Sequence, residues 1–325
     1  MNKMLKEISK PIENQMDIFD KTFNESLESD VKIINTVVRY IVRKKGKRLR
    51  PRLCLISGQM CGEINENTHI IASLLEILHV ATLIHDDVVD DSYLRRGWPS
   101  INKIWKNKLS ILVGDYLFSK ALINMARVNS IESVKILANL ASRLSQGEIL
   151  QIEKALSKNI NEDIYFKMIS DKTASLFSAS CKLGAITTTG DQNKIDALSE
   201  FGELLGQAFQ IKDDLFDILG SESELGKPSG YDLKKNMLTL PLIYILNNKS
   251  KISKKTFKLK LKLLERTGRK KEIRKIIVNE GGVNYAENKL IEISDLAKNK
   301  LDIFEKSDLK ESLKLALDFN LKRIS

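Results

Sequence analysis

Cysteine, proline and glycine are all scarce: three, five and sixteen residues in a chain of 325. Cys54, Cys61 and Cys181 form no CxxC pair. That excludes a disulfide-stapled scaffold and a zinc module, and it suggests a reducing compartment. So few Gly and Pro exclude collagen-like and proline-rich architectures. No uninterrupted apolar run approaches the ~18 residues of a membrane span; Leu240–Leu246 is typical of the longest. The N-terminal MNKMLKEISKPIENQMD carries no apolar stretch of the signal-peptide kind. A soluble cytoplasmic protein is the expectation. Internal repeats of ~20–50 residues are missing, as is any Asn-Gly or Asp-Gly turn between alternating strands.

Helical signals fill the space these absences leave. Apolar residues recur at spacings of three and four in Ile33–Arg43, Ile70–Ile84, Leu109–Met125, Ser133–Leu150 and Phe201–Leu219. Breaks fall at Lys45-Gly46, Arg96-Gly97-Trp98-Pro99, Thr189-Gly190-Asp191 and Gly226–Gly230. With 42% apolar residues a sizeable core is available. The pattern predicts an all-α fold, one domain over residues 1–325, with Ile70–Ile84 central because it is apolar around much of its circumference. The net charge of +11 is local: Lys251–Lys275 holds twelve Lys/Arg against two Glu, a net of +10. The rest is nearly balanced, so no general nucleic-acid binder is indicated. A solvated helix is the default for that run, and an anionic surface such as lipid headgroups is its functional reading.

Two acidic clusters stand out. His85-Asp86-Asp87-Val88-Val89-Asp90-Asp91 and Gln210-Ile211-Lys212-Asp213-Asp214-Leu215-Phe216-Asp217 each contain Asp-Asp-x-x-Asp after an apolar helical stretch. At about 100° per residue, positions i, i+1 and i+4 fall within an arc of about 100°. Asp86, Asp87 and Asp90 therefore share one face, as do Asp213, Asp214 and Asp217. Three carboxylates on one face repel one another unless a cation intervenes. Hard oxygen ligands select Mg²⁺ or Mn²⁺, and Mg²⁺ commonly completes its shell with water and substrate phosphate. One such cluster is by default an exposed acidic turn. Two copies on apolar helices, 127 residues apart, point to a diphosphate held between two walls. Basic residues complement them in Lys45-Gly46-Lys47-Arg48-Leu49-Arg50-Pro51 and in Arg95-Arg96, where Arg forks and Lys point charges suit phosphate oxygens.

With these residues the chain resembles the trans (all-E) isoprenyl diphosphate synthases, the polyprenyl synthetase family. The matching blocks are GKRLRP at 46–51, EILHVATLIHDDVVDDSYLRRGWPS at 76–100, LVGDYLFSKA at 112–121, GEILQ at 147–151, KTASLF at 172–177, FQIKDDLFD at 209–217, and GKPSGYDL with TLP within 226–241. They keep the family's order and spread over about 60% of the chain. The resemblance implies a single large helical bundle around a deep central cavity, usually a homodimer, joining an allylic diphosphate to isopentenyl diphosphate head to tail. It implies two or three Mg²⁺ per active site, held by Asp86, Asp87 and Asp90 on one wall and by Asp213 and Asp214 on the other, with Asp217 more peripheral. Arg95, Lys172 and Lys227 would bind the allylic diphosphate, and Lys47, Arg50, His79 and Arg96 the isopentenyl diphosphate. Thr173 and Gln210 would line the reacting centre with Lys172. Short-chain members carry a Lys two residues before the Thr of TLP; here that residue is Met237, so this contact is missing.

Product length should depend on what blocks the tail. Ala81 lies five residues before Asp86, with Thr82 next; five residues is about 7.5 Å of helix, roughly one isoprene unit. A large aromatic there would form a floor, whereas Ala81 and Thr82 leave the path open, and Leu122 and Met125 could close it deeper. The expected product has at least 30 carbons, with octaprenyl the best single length, as in a respiratory quinone side chain. Release of so apolar a product suggests transient contact with a membrane surface through Lys251–Lys275. The alternatives are a shorter-chain farnesyl or geranylgeranyl diphosphate synthase, a head-to-head or cyclising terpenoid synthase, a non-catalytic partner subunit, and a basic helical nucleic-acid-binding protein. Lys47, Arg50 and His79 argue against the terpenoid synthase, and the two complete Asp clusters against the idle subunit.

Overall fold

Every segment with the helical spacing forms a helix. The computed structural model describes residues 2–43, 46–95, 98–157, 161–219 and 239–321. The first helices are α1 (Asn2–Ser9), α2 (Glu13–Ser26), α3 (Lys32–Arg43) and α4 (Leu49–Cys61). Next come α5 (Glu66–Val89), α6 (Ile101–Val128), α7 (Ile131–Ser157), α8 (Glu162–Ile169), α9 (Ser175–Ile186) and α10 (Gln192–Leu219). After the undescribed stretch follow α11 (Leu240–Asn247), α12 (Lys251–Arg266), α13 (Lys270–Asn279), α14 (Gly282–Lys300) and α15 (Asp308–Leu321). Among the described residues the bundle is all-α apart from a two-residue antiparallel pair, Leu94–Arg95 with Trp98–Pro99. No flanking alternation announced that pair, because it is too short to have any.

Helix α5 is the central element. Its N-terminus is fixed by a capping box in which Asn65 accepts from the Thr68 amide at 3.2 Å and the Thr68 hydroxyl accepts from the Asn65 amide at 3.3 Å. Ile70, Ile71, Leu74, Leu75, Ile77 and Leu78 are all at most 3% exposed. Full burial of side chains of this size contributes about 1.5–3 kcal/mol each. By length and composition α5 and α6 could each cross a membrane, a property the search for uninterrupted runs did not register. Their surroundings differ: the most apolar window is 72% buried in α5 and 39% buried in α6. Helix α6 turns Val113, Leu117, Ala121 and Met125 inward, while Ile111, Leu112, Leu122 and Ile123 lie outward on an arc of about 120°.

A second cluster gathers Ile211 and Leu215 of α10 with Leu242 and Ile245 of α11, Phe257, Leu261 and Leu264 of α12, and Ile273 and Ile277 of α13. The basic run is therefore neither loop nor fully solvated helix, but two amphipathic helices docked by one face.

Candidate active site

The two acidic clusters end two long helices. Asp86 and Asp87 lie in the last turn of α5 with Asp90 as its C-cap, and Asp213, Asp214 and Asp217 lie in the last two turns of α10. A helix C-terminus carries the negative end of the backbone dipole, so carboxylates there are disfavoured until a cation joins them. Burial divides each set. Asp87, Asp214 and Asp217 are 4–5% exposed, whereas Asp86, Asp90 and Asp213 are half-buried. Asp217 is thus as deep as Asp214, because i+3 spacing keeps both on the inner side of α10. Beyond the first cluster the chain reverses at Asp91, whose φ is +48°. The reversal is fixed by the Ser92 amide and the Asn102 side chain donating to the Asp87 carbonyl at 2.9 and 3.0 Å.

Asp214 is held on both sides. Its Oδ2 accepts from the Tyr165 hydroxyl at 2.8 Å and its Oδ1 from Gln210 Nε2 at 2.9 Å. Gln210 Oε1 in turn accepts from the Thr173 hydroxyl at 2.8 Å. One chain of hydrogen bonds therefore joins Thr173, Gln210, Asp214 and Tyr165. Lys172 donates to Glu148 Oε2 at 2.5 Å and Gln151 Oε1 at 3.1 Å.

Lys172 and Thr173 lie on a five-residue π-turn, Ser170–Ala174, between α8 and α9. Such turns are rare and recur at functional sites. Two glycines let neighbouring helices approach it: a Cβ on Gly147 would lie 2.5 Å from the Lys172 amide nitrogen, and one on Gly206 would lie 2.4 Å from Ala174 Cα. Arg143 ties it down, donating to Asp171 at 2.8 Å and to both oxygens of Glu203 at 2.7 and 3.1 Å. Burial would push the Asp171 carboxyl up, but hydrogen bonds from Arg143 and Lys167 outweigh it and the pKa falls below its ordinary value.

The basic residues stand in three different surroundings. A cleft of about 110 Å³ is lined by Gly46, Arg48, Glu76, His79 and Asp87 together with Tyr40 and Ser100. His79 is there, but the arginine beside it is Arg48, which also pairs with Asp20. Lys47 rests over the Phe319 ring at 4.8 Å, and Arg50 over Phe177 at 4.5 Å. Arg48 caps α4 in the left-handed region, φ +48°, with its guanidinium over the Phe19 and Phe23 rings, each at 5.4 Å. Arg52 is lowered to about 10 by burial and by the nearby Arg48 charge, with Glu76 opposing. Arg96, Lys227 and Met237 lie outside the described residues, as does the Arg95 side chain.

Ala81 and Met125 are 1–2% exposed within the main core, and Thr82 is half-buried with its hydroxyl on the His79 carbonyl at 2.9 Å. Leu122 is 49% exposed on the outer arc of α6, apart from Met125 on the inner one. Sequence reasoning missed Tyr165, and it named Arg48 only within the basic cluster and Glu76 only within a matching block. It quoted Glu148 and Gln151 only as part of a matching block.

Among the described residues no three His, Cys, Asp or Glu side chains converge into a closed metal cage. The donor set still suits a hard dication that takes one or two carboxylates and keeps its waters.

The polyprenyl synthetase family model matches residues 31–279. The chain is 32% identical to the all-trans-nonaprenyl-diphosphate synthase (geranyl-diphosphate specific) of Rhodobacter capsulatus, over 96% of this chain and 97% of that one. It is 33% identical to a short chain isoprenyl diphosphate synthase of Methanothermobacter thermautotrophicus, covering 87% and 88%. A polyprenyl synthase from Caulobacter crescentus, solved with calcium and isoprenyl diphosphate, superposes with a TM-score of 0.90 at 32% identity, over 98% of this chain and 97% of that one. The chain therefore belongs to the polyprenyl synthetase family and is a trans-prenyltransferase that makes polyprenyl diphosphate.

Proposed function

We propose that the enzyme condenses isopentenyl diphosphate with a farnesyl or geranylgeranyl starter, head to tail, into a long all-trans chain. Octaprenyl diphosphate is the favoured product and a quinone side chain its use. The observation that carries the length is Ala81, buried five residues before Asp86 with no bulky side chain in its place. A short-chain relative at 33% identity favours the second reading, a product of 15–20 carbons.

Asp86, Asp87 and Asp90, with Asp213 and Asp214 opposite, would hold Mg²⁺; when bound it neutralises the diphosphate and stabilises charge on the leaving group. Lys172, steadied by Glu148 and Gln151, offers its ammonium to the departing oxygens. Gln210 and Thr173 fix Asp214 and present their dipoles to the allylic carbon as it becomes cationic, a contribution largest in the transition state. Buried apolar walls keep water from the cation. Cations around His79 and Arg48 position the isopentenyl diphosphate so that its double bond attacks, and loss of a proton restores an allylic diphosphate. Two copies would pair through the outward apolar arc of α6, and the three free cysteines suit the cytoplasm.

The test is incubation with labelled isopentenyl diphosphate, farnesyl diphosphate and Mg²⁺, followed by chain-length analysis. Products of 30 or more carbons support the proposal. Products stopping at 20 carbons select the short-chain reading, and no condensation refutes both.

A further inference from the structure

Helix α12 carries two apolar faces. Phe257, Leu261 and Leu264 are 5–7% exposed and dock on the second core. On the other side Ile252, Leu259 and Leu263 are 82%, 60% and 63% exposed. At 100° per residue these three fall within an arc of about 40°, opposite the docked face. Lys255, Lys262 and Arg266 flank the strip on one edge and Lys260 on the other, all exposed. Helix α13 repeats the scheme: Ile273 and Ile277 face the same core, while exposed Val278, 46% accessible, stands among Lys271, Arg274 and Lys275.

From this pattern we propose that the outer faces of α12 and α13 form a docking surface for an anionic lipid bilayer, with Ile252, Leu259 and Leu263 entering the headgroup boundary and the flanking lysines meeting lipid phosphates. A solvated helix has no use for three large aliphatic side chains on its outer face, and it loses water entropy around each. A nucleic-acid surface would want the charge without the aliphatic strip. A second copy of the same surface would bring like charges together, +10 against +10 over residues 251–275. An amphipathic face with an aliphatic centre and basic edges matches the layered chemistry of an anionic bilayer. None of its residues is assigned to catalysis, and the proposal does not depend on product length.

The test uses the full-length enzyme with vesicles of phosphatidylcholine alone or with a large share of phosphatidylglycerol, read by co-sedimentation at low and high salt. The proposal expects binding to the anionic vesicles only, weakened by salt. Lys255→Gln and Lys262→Gln should each cost about fivefold, and Leu259→Ser with Leu263→Ser about tenfold or more, with turnover on a soluble starter unchanged. Leu259→Trp supplies an independent reading: its emission should shift blue on anionic vesicles. Equal binding to neutral vesicles, binding indifferent to the leucine changes, no blue shift, or no binding at all would each overturn the proposal. So would DNA displacing the enzyme from vesicles as well from the leucine variant as from the native chain, since charge alone would then suffice.

Discussion

Tyr165→Phe isolates the support of one carboxylate. The Tyr165 hydroxyl, 1% exposed, donates to Asp214, 5% exposed, at 2.8 Å. Phe keeps the ring and its edge-on contact with Phe166 at 5.5 Å, so packing is nearly unchanged. A hydrogen bond to a charged group contributes about 1.5–3 kcal/mol. Gln210 still holds the other oxygen, which places the loss near the lower end, or about tenfold in a binding constant. The outer support of metal-binding carboxylates has effects of this size, about 10–100-fold. Turnover measured across a Mg²⁺ titration should show the half-saturating Mg²⁺ concentration raised about tenfold, with the isopentenyl diphosphate KM at saturating Mg²⁺ little changed. Tyr165→Phe combined with Gln210→Ala should fall short of, or exceed, the sum of the single effects, because both act through Asp214. An unchanged Mg²⁺ curve beside a lowered melting temperature would show that Tyr165 only packs, and would refute the argument.

Ala81→Phe should shorten the product by filling the space next to the first cluster, and identical product lengths from mutant and native enzyme would exclude this tail path. Gly147→Ala drives a Cβ to 2.5 Å from the Lys172 amide nitrogen; it should cost about 1–3 kcal/mol of stability and lower kcat more than it raises KM, which steady-state kinetics on the folded variant will show. Leu112→Glu with Ile123→Glu places charge on the outer arc of α6 and should yield monomers in light scattering, whereas an intact dimer would locate the interface elsewhere. Tyr285, pushed up to about 12 by burial and by the Glu162 carboxylate it donates to, binds its proton more tightly folded than unfolded. Its contribution to stability is complete below the ordinary tyrosine pKa of about 10 and declines as pH rises toward 12. Tyr285→Phe should flatten that alkaline decline in urea unfolding, and an unaltered slope would refute the assignment.

Where the residues of an element speak for themselves, the sequence was legible. Helix α5 announced itself through aliphatic spacing, and both acidic clusters stood in plain order. Pairings made by the tertiary fold were not legible. Tyr165 and Asp214 lie 49 residues apart and meet because a π-turn redirects the chain between α8 and α9, and a π-turn has no apolar period to read. The outward place of Leu122 was hidden for a related reason. Helix α6 has two apolar arcs, and spacing gives the angle between them without saying which one meets α5. Arg48 stood in the basic cluster with Lys47 and Arg50, but spacing could not show that it precedes α4 in the left-handed region and lines the cleft with His79.

The same ambiguity of faces ties the site to the basic helices. Net charge could be counted along Lys251–Lys275, but the meaning of Ile252, Leu259 and Leu263 depends on knowing that Phe257, Leu261 and Leu264 already fill the inward side. Once one apolar face is spent on the core, a second is surplus to folding. Surplus at α6 carries exposed charge of both signs, Lys108 and Asp115, which a like partner tolerates; surplus at α12 is edged with lysine, which a like partner would repel. Two outward apolar strips, told apart by the charge at their margins, thus call for two different occupants. The acidic clusters obey the same logic: carboxylates set against a helix dipole are a surplus of negative charge that the fold does not need and a cation with its diphosphate would answer.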